Sequence, residues 1–361
     1  MKLKGSTLIH GAPGLLGAFS FRRSLALSLA LGLALPLVSC REKDQGGDWS
    51  GQKGSSARVA QAPAPAPSPT PAPAVPADLA PAVAVPKGTA VRFVAYNVEN
   101  WLTMERTEDG KRIAAPKPEK ERAAVTKVLV AAQPDILGVS EIGNEDDVKD
   151  LQKHLADAGW PLPNAHIHHG ADPTRSLVLL SKYPITQPVV RKNLTYRLQG
   201  AELYMQRGIL DATVDSPVGP FRCVGVHLKS KREVEDGDEE EMRRNEAHLL
   251  RREVEAILTQ DPQARLVVYG DFNDTRNSPS IRAIQGSGRD AQALSTLPLK
   301  DSRGHYWTHH WDYQDVYSRF DYVMLSPALK DAVDRDKSRI IDDGDVASAS
   351  DHRPLLVILK K

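Results

Sequence analysis

Cysteine is nearly missing from this 361-residue chain, with Cys40 and Cys223 as its two copies. A disulfide framework is therefore excluded as the source of stability. Charge of one sign is missing as well, with 47 basic against 46 acidic residues. A dedicated nucleic-acid binder usually carries a basic excess, so composition alone does not point there. A run of membrane-spanning length is also lacking: the apolar segment Leu25–Val38 has 14 residues, short of the ~20 a spanning helix needs. There are no internal repeats and no strict βαβ period, which excludes repeat arrays and a simple doubly wound sheet.

What is present begins with a leader. Lys2, Lys4, Arg22 and Arg23 precede the apolar run, and acids do not occur before residue 41. Basic region, short apolar core and Leu37-Val38-Ser39-Cys40 resemble a bacterial lipoprotein signal, with Cys40 as the acylated new N-terminus. Such a chain is anchored to a membrane rather than spanning it. Arg41 stands where inner-membrane retention expects aspartate, so the expected location is extracytoplasmic, on the outer membrane or cell surface. Without residues 1–40 the balance is 43 basic to 46 acidic residues. Residues 41–88 are polar and then Pro/Ala-rich (APAPAPSPTPAPAVP), a composition that favours an extended tether. The domain expectation is a signal at 1–40, a linker at 41–88 and a catalytic domain at 89–361.

Within that domain the pattern is mixed. Val125, Val128, Leu129 and Ala132 have the spacing of one helix face over 119–132, and Pro134 stops that helix. A second helix is predicted near 240–258. Short β-branched runs predict strands at 91–96, 136–139, 177–180, 208–214, 221–228, 266–269, 322–325 and 354–359. Cys223 falls in one of these and reads as a buried core residue. The expectation is a layered α/β domain with two sheets and helices outside.

Polar residues gather where these runs begin or end: Asn97, Glu99, Glu141, His227, Asp271, Asn273, Asp321, Asp351 and His352. Any one of them reads as a turn former or a structural histidine. Their order is more informative. YNVEN (Tyr96–Asn100), SEI (Ser140–Ile142), VHLKS (Val226–Ser230), GDFND (Gly270–Asp274), SRFDYV (Ser318–Val323) and SDHRP (Ser350–Pro354) follow one another. This series resembles the endonuclease/exonuclease/phosphatase superfamily across roughly residues 91–360. The group includes pancreatic-type deoxyribonucleases, apurinic endonucleases, neutral sphingomyelinases and inositol-polyphosphate phosphatases. The resemblance implies a four-layered α/β sandwich and metal-dependent phosphoester hydrolysis.

The chemistry agrees with the residue types. Hydrolysis of an anionic phosphodiester needs a cation, an activated water and donors to the developing charge. Mg²⁺ takes oxygen ligands and keeps several waters, so one or two carboxylates suffice. Mn²⁺ and Ca²⁺ are alternatives. Glu141 is the expected ligand, with Asn97 supplying an amide oxygen, Asp351 a further contact and Glu99 an outer one. His352 is the expected general base or electrostatic stabiliser, its ring held by Asp321. Asp271 would orient or deprotonate the water, and Asn273 would donate to a phosphate oxygen. His227 matches the histidine of many members, where apurinic endonucleases tend to have tyrosine. Lys229 and Arg207 are expected to meet substrate phosphates, with Lys231, Arg232 and Arg319 as further basic groups. Seven acids within Glu233–Glu241 offset any broad basic surface.

Two histidine-rich spots, His166/His168/His169 and His305/His309/His310, lack the helical spacing of a zinc motif. Strand alternation would also split neighbouring histidines, so a separate zinc site is not expected. Trp307 and Trp311 could line a substrate groove or a core. The expected activity is an extracytoplasmic nuclease acting on DNA or RNA, by a monomer. The alternative is a phosphodiesterase or phosphatase of phospholipids or inositol phosphates, which a membrane anchor would suit. No long hydrophobic hairpin of the kind that dips into a membrane is expected. A catalytically dead binding protein would have lost Asp271 or His352, and both are present.

Overall fold

The computed structural model describes residues 90–361 apart from 109, 192, 193, 236 and 289. The signal, Cys40 and the linker lie outside the described residues.

Two six-stranded mixed sheets form the body. The first runs, edge to edge, through Arg339–Ile340, Leu355–Lys360, Ala90–Trp101, Ile136–Ile142, Ser176–Ser181 and Asn164–His169. The second runs through Ser295–Thr296, Asp321–Leu325, Leu266–Asp271, Phe221–His227, Ile209–Val214 and Ile185–Thr186. Side-chain alternation explains how they stack. Val91, Phe93 and Ala95 point into a shared core with Leu177, Leu210, Val267, Val323 and Val357. Their neighbours Val94, Tyr96 and Val98 point the other way, into a core with Val125, Leu129 and Leu151 of the helices Glu119–Ala132 and Glu145–Asp157. The second sheet repeats this arrangement: Val224, Val226 and Val268 pack on Leu250 and Val254 of Glu239–Gln260 and on Ile281 of Pro279–Gln285. The result is the expected sandwich of helices, sheet, sheet and helices. Strands buried on both faces read as near-continuous apolar runs, which is why they were visible in the sequence. Each such residue contributes roughly 1.5–3 kcal/mol by leaving water.

Gly138 shows how closely the sheets approach. A Cβ there would lie 2.0 Å from the ring of Tyr269. That ring meets Phe93 edge-on with centroids 5.0 Å apart. The glycine is what lets Tyr269, two residues before Asp271, lie across the sheet interface.

Several elements exceed the sequence expectations. The first strand runs to Trp101 rather than Tyr96, and the second to Ile142. The helix Glu145–Asp157 was not anticipated, although Asn144 and Asp147 form a capping box and Val148, Leu151 and Leu155 make its apolar face. Outside the sheets lie hairpins at Met104–Ala115, Thr195–Tyr204 and His309–Ser318. Cys223 is fully buried and free, and burial raises its thiol pKa further, in keeping with a structural role.

Candidate active site

Strand register assembles the site. In the second sheet His227 pairs with Asp271, and Asp271 with Asp321, so three side chains from three neighbouring strands stand in one row. In the first sheet Asn97 pairs with Ser140, which sets Glu141 beside it. The Ser350 hydroxyl donates to the Asn97 carbonyl at 2.8 Å and accepts from the His352 backbone N–H at 3.0 Å. That link brings the last loop over both rows.

The backbone is unusual at these points. Glu99, Asn100, Glu141 and Asn273 have φ of 49°, 60°, 62° and 51°. Non-glycine residues in this left-handed region cost of order 1–3 kcal/mol each and cluster where a site needs a side chain aimed off the regular path. Here they set Glu141 beside Asn97 and Asn273 beside Asp271.

His352 and Asp321 form the pair expected from the sequence, with Nδ1 2.7 Å from Oδ2. The Nε2 atom lies 3.6 Å from Asp271 and 4.0 Å from Asp351. Burial alone would lower the pKa of this imidazole, but Asp321, Asp271 and Asp351 outweigh it and hold the pKa well above the usual histidine value. His227 is in the opposite state. Burial, Arg207, His352, Arg175 and Lys229 keep its pKa well below the usual value. Its Nε2 lies 3.6 Å from Asp271 and 3.9 Å from Glu141, and its Nδ1 is buried with no hydrogen-bond partner. Asp271 lies between the two rings. Burial and the neighbouring Asp321 and Glu141 push its carboxyl up to about 7, against the opposing pull of His352.

Asn97 lies between the expected carboxylates. Its amide nitrogen donates to Glu141 at 3.1 Å and Asp271 at 3.2 Å, while its oxygen accepts from the Glu99 backbone at 3.0 Å. Glu99 accepts from the Asp351 N–H at 3.1 Å, and burial with Asp351 nearby pushes its carboxyl up to about 7. Asn273 donates from its side chain to the Leu228 carbonyl at 3.0 Å and from its backbone to Asp271 at 2.8 Å.

Two basic groups depart from expectation. The Lys229 ammonium folds back onto the carbonyls of Ser230 and Arg232 at 3.0 and 2.8 Å, and burial with Arg207 nearby lowers its pKa to about 8. Arg319 donates to the Leu297 carbonyl at 2.8 Å and lies over the Tyr322 ring, a packing role. Arg207 stays beside His227, with Asp172 at 3.3 Å from its Nε.

One site residue was missed. His309 was set aside with the histidine-rich spots, yet its Nε2 lies 3.6 Å from Asp351 and its ring centroid 4.7 Å from that of His352. The signal in the sequence was its place in the segment leading into SRFDYV. The other spot divides by strand alternation, with His169 bonded to Glu145 at 3.0 Å and His168 buried.

The donor set fits a divalent cation. Glu99, Glu141, Asp271 and Asp351 bring carboxylate oxygens together, the donor type a hard cation takes, and Asp271 and Asp351 each fall in a group (Asp271/Asp321/His352 and His309/Asp351/His352) whose candidate ligand atoms lie within 4.8 Å of one another. Two carboxyls driven up towards neutrality by burial and by their neighbours are what such a charge would relieve.

The family model for endonuclease/exonuclease/phosphatase proteins matches residues 110–352. The chain belongs to this family. Its members are divalent-metal-dependent hydrolases of phosphoester bonds, among them nucleases, phosphodiesterases and phosphatases. Solved structures agree on the fold. The Bacteroides vulgatus family protein is 18% identical with a TM-score of 0.52, covering 76% of this chain and 99% of its own. The catalytic domain of human nocturnin with a bound sulfate anion is 19% identical with a TM-score of 0.52, covering 75% and 95%. The Leptotrichia buccalis family protein is 16% identical with a TM-score of 0.51, covering 75% and 100%. No curated protein matches the chain in sequence.

Proposed function

We propose that the protein is a lipid-anchored, extracytoplasmic nuclease that hydrolyses phosphodiester bonds of DNA or RNA with Mg²⁺, and that Mn²⁺ can replace it. The observation that carries this reading is Asp271 set between two histidines, 3.6 Å from the Nε2 of each. Their surroundings push the pKa of His227 down and that of His352 up. Groups whose surroundings push their pKa values apart are how one site holds an acid and a base together.

The roles follow. Glu141 and Asp351 would hold the cation, which supplies charge neutralisation and a more acidic bound water. Asp271 takes the proton of the attacking water. His352, fixed by Asp321, places its Nε2–H and positive charge against the developing phosphorane oxygens. His227 donates a hydrogen bond to the leaving oxygen as its bond to phosphorus breaks, and Arg207 adds positive charge on that side. The human nocturnin catalytic domain, which shares the fold, was solved with a bound sulfate anion, and a tetrahedral oxyanion on this fold is in keeping with a phosphoester substrate.

Plasmid DNA, RNA, sphingomyelin and a soluble inositol phosphate, each with Mg²⁺ or with EDTA, test the proposal. Degradation of nucleic acid that EDTA abolishes is expected. Hydrolysis of a lipid or inositol phosphate with nucleic acid left intact would replace the substrate while keeping the site. Recovery of the protein in a soluble extracellular fraction would remove the anchor.

A further inference from the structure

The chemistry above leaves unused the hairpin of His309–Trp311 and Val316–Ser318. Among the described residues seven large apolar side chains are exposed, and five of them, Tyr306, Trp311, Tyr313, Val316 and Tyr317, lie on or beside this hairpin. Such clustering marks a contact surface more than scattered exposure would.

The hairpin is tied to the site by its backbone. His309 bridges to His352, and the His310 N–H donates to the Asp351 carbonyl at 2.9 Å. Thr308 accepts from the backbones of Phe320 and Asp321, both at 3.0 Å. Strand alternation then separates its faces. His310 stacks on Tyr317 at 4.1 Å, and Trp307, covered by Arg353, braces that pair. His309 and Trp311 share the opposite face. Because the His309 ring packs against His352, Trp311 stands on the site's side, roughly 7 Å further along the strand. Trp311 is 48% exposed and Tyr313, whose ring lies 6.2 Å from it, is 85% exposed.

Charge selects the occupant. The exposed tip, Trp311–Tyr317, holds Asp312 and Asp315 and no lysine or arginine, while Arg319 and Arg353 lie at the hairpin's base against Tyr306 and Trp307. A hairpin that meets an anionic lipid surface would carry basic residues instead. The positive groups Arg175, Arg207 and Lys229 sit across the site, around His227. Phosphates are drawn to that side, which leaves a flat, uncharged part of the substrate for the tryptophan.

We propose that Trp311 and Tyr313 form a stacking platform for an unpaired nucleobase next to the scissile phosphate, making single-stranded nucleic acid the preferred substrate. A base inside a duplex has both faces covered and cannot use the platform. The inference rests on the nuclease reading and narrows it.

The test uses the full-length protein and single-stranded oligodeoxythymidylate. Binding is read in EDTA by tryptophan quenching, assigned to Trp311 by comparison with Trp311→Phe. Cleavage with Mg²⁺ is read on the same oligomer and on one of equal length with abasic positions. The Trp311→Ala/Tyr313→Ala variant should raise KM for the thymidylate oligomer tenfold or more. Its kcat, its KM for the abasic oligomer and its melting temperature should not change. Equal KM values for variant and wild type on the thymidylate oligomer would overturn the platform alone. Quenching by phosphatidylcholine vesicles and not by the oligomer would make the hairpin a lipid contact. If the wild type neither cleaves nor is quenched by nucleic acid, this inference and the nuclease reading fail together.

Discussion

The two sides of the cleft hold the same residue in opposite states. His352 sits among Asp321, Asp271 and Asp351, and their combined charge overcomes the burial that would otherwise keep it neutral. His227 is equally buried, yet its charged neighbours are Arg207, Arg175 and Lys229, which add to the effect of burial. Burial penalises an imidazolium on both sides, so the sign of the nearby charge decides which ring carries the proton. The lesson is that a histidine at a strand end has no role until its neighbours are known.

The comparison breaks most decisively at His352. His352→Gln keeps a hydrogen-bonding side chain but removes the charge, and should lower kcat by about 10³-fold in steady-state assays. A loss as small as that at His227 would mean the cation is not needed there. Next in size is the effect of metal. Saturating Mg²⁺ should stabilise the wild type in thermal melts, by about 2.7 kcal/mol at one hundred times Kd. Glu141→Gln should abolish that shift and His227→Gln should keep it, because only the former removes a proposed ligand. On the other side, His227→Gln should cost only about tenfold in kcat, since a neutral amide can replace a neutral imidazole at the leaving oxygen.

A last effect, on stability alone, concerns a third buried histidine. Burial, with His166, His169 and Arg191 nearby, lowers the pKa of His168 to about 4. A pKa depressed on folding gives stability that is present above the unfolded value of 6.5 and is lost as pH falls towards 4. Melting of wild type should therefore drop over that window by several degrees more than melting of His168→Gln. Parallel curves would show that His168 is not desolvated in solution.

Much of this was legible in the sequence. The strands that bury both faces stood out as apolar runs, and the residues that terminate them named most of the site. Some of what was missed was legible in principle: the capping box at Asn144 announces the helix Glu145–Asp157. The strand Asn164–His169 was only weakly signalled, because Ala165 and Ile167 are its two apolar residues and pairing with Ser176–Ser181 is what holds it as a strand. The ligand role expected of Asn97 also depended on which end of its amide faces Glu141, which no motif encodes. Lys229 reads as a phosphate contact in VHLKS until two backbone carbonyls are seen to hold its ammonium.

The sequence by itself determined the family, the sandwich and the chemical types available at the strand ends, because these depend on local periodicity and on short motifs. The tertiary structure decided how those types are used. His352 meets Asp321 across 31 positions, and Asn97 meets Asp271 across 174. It also brought His309 and its exposed aromatic hairpin to the edge of the site. Electrostatic energies depend on distances between charges and on their burial, and both are set only when strands far apart in the chain come into register.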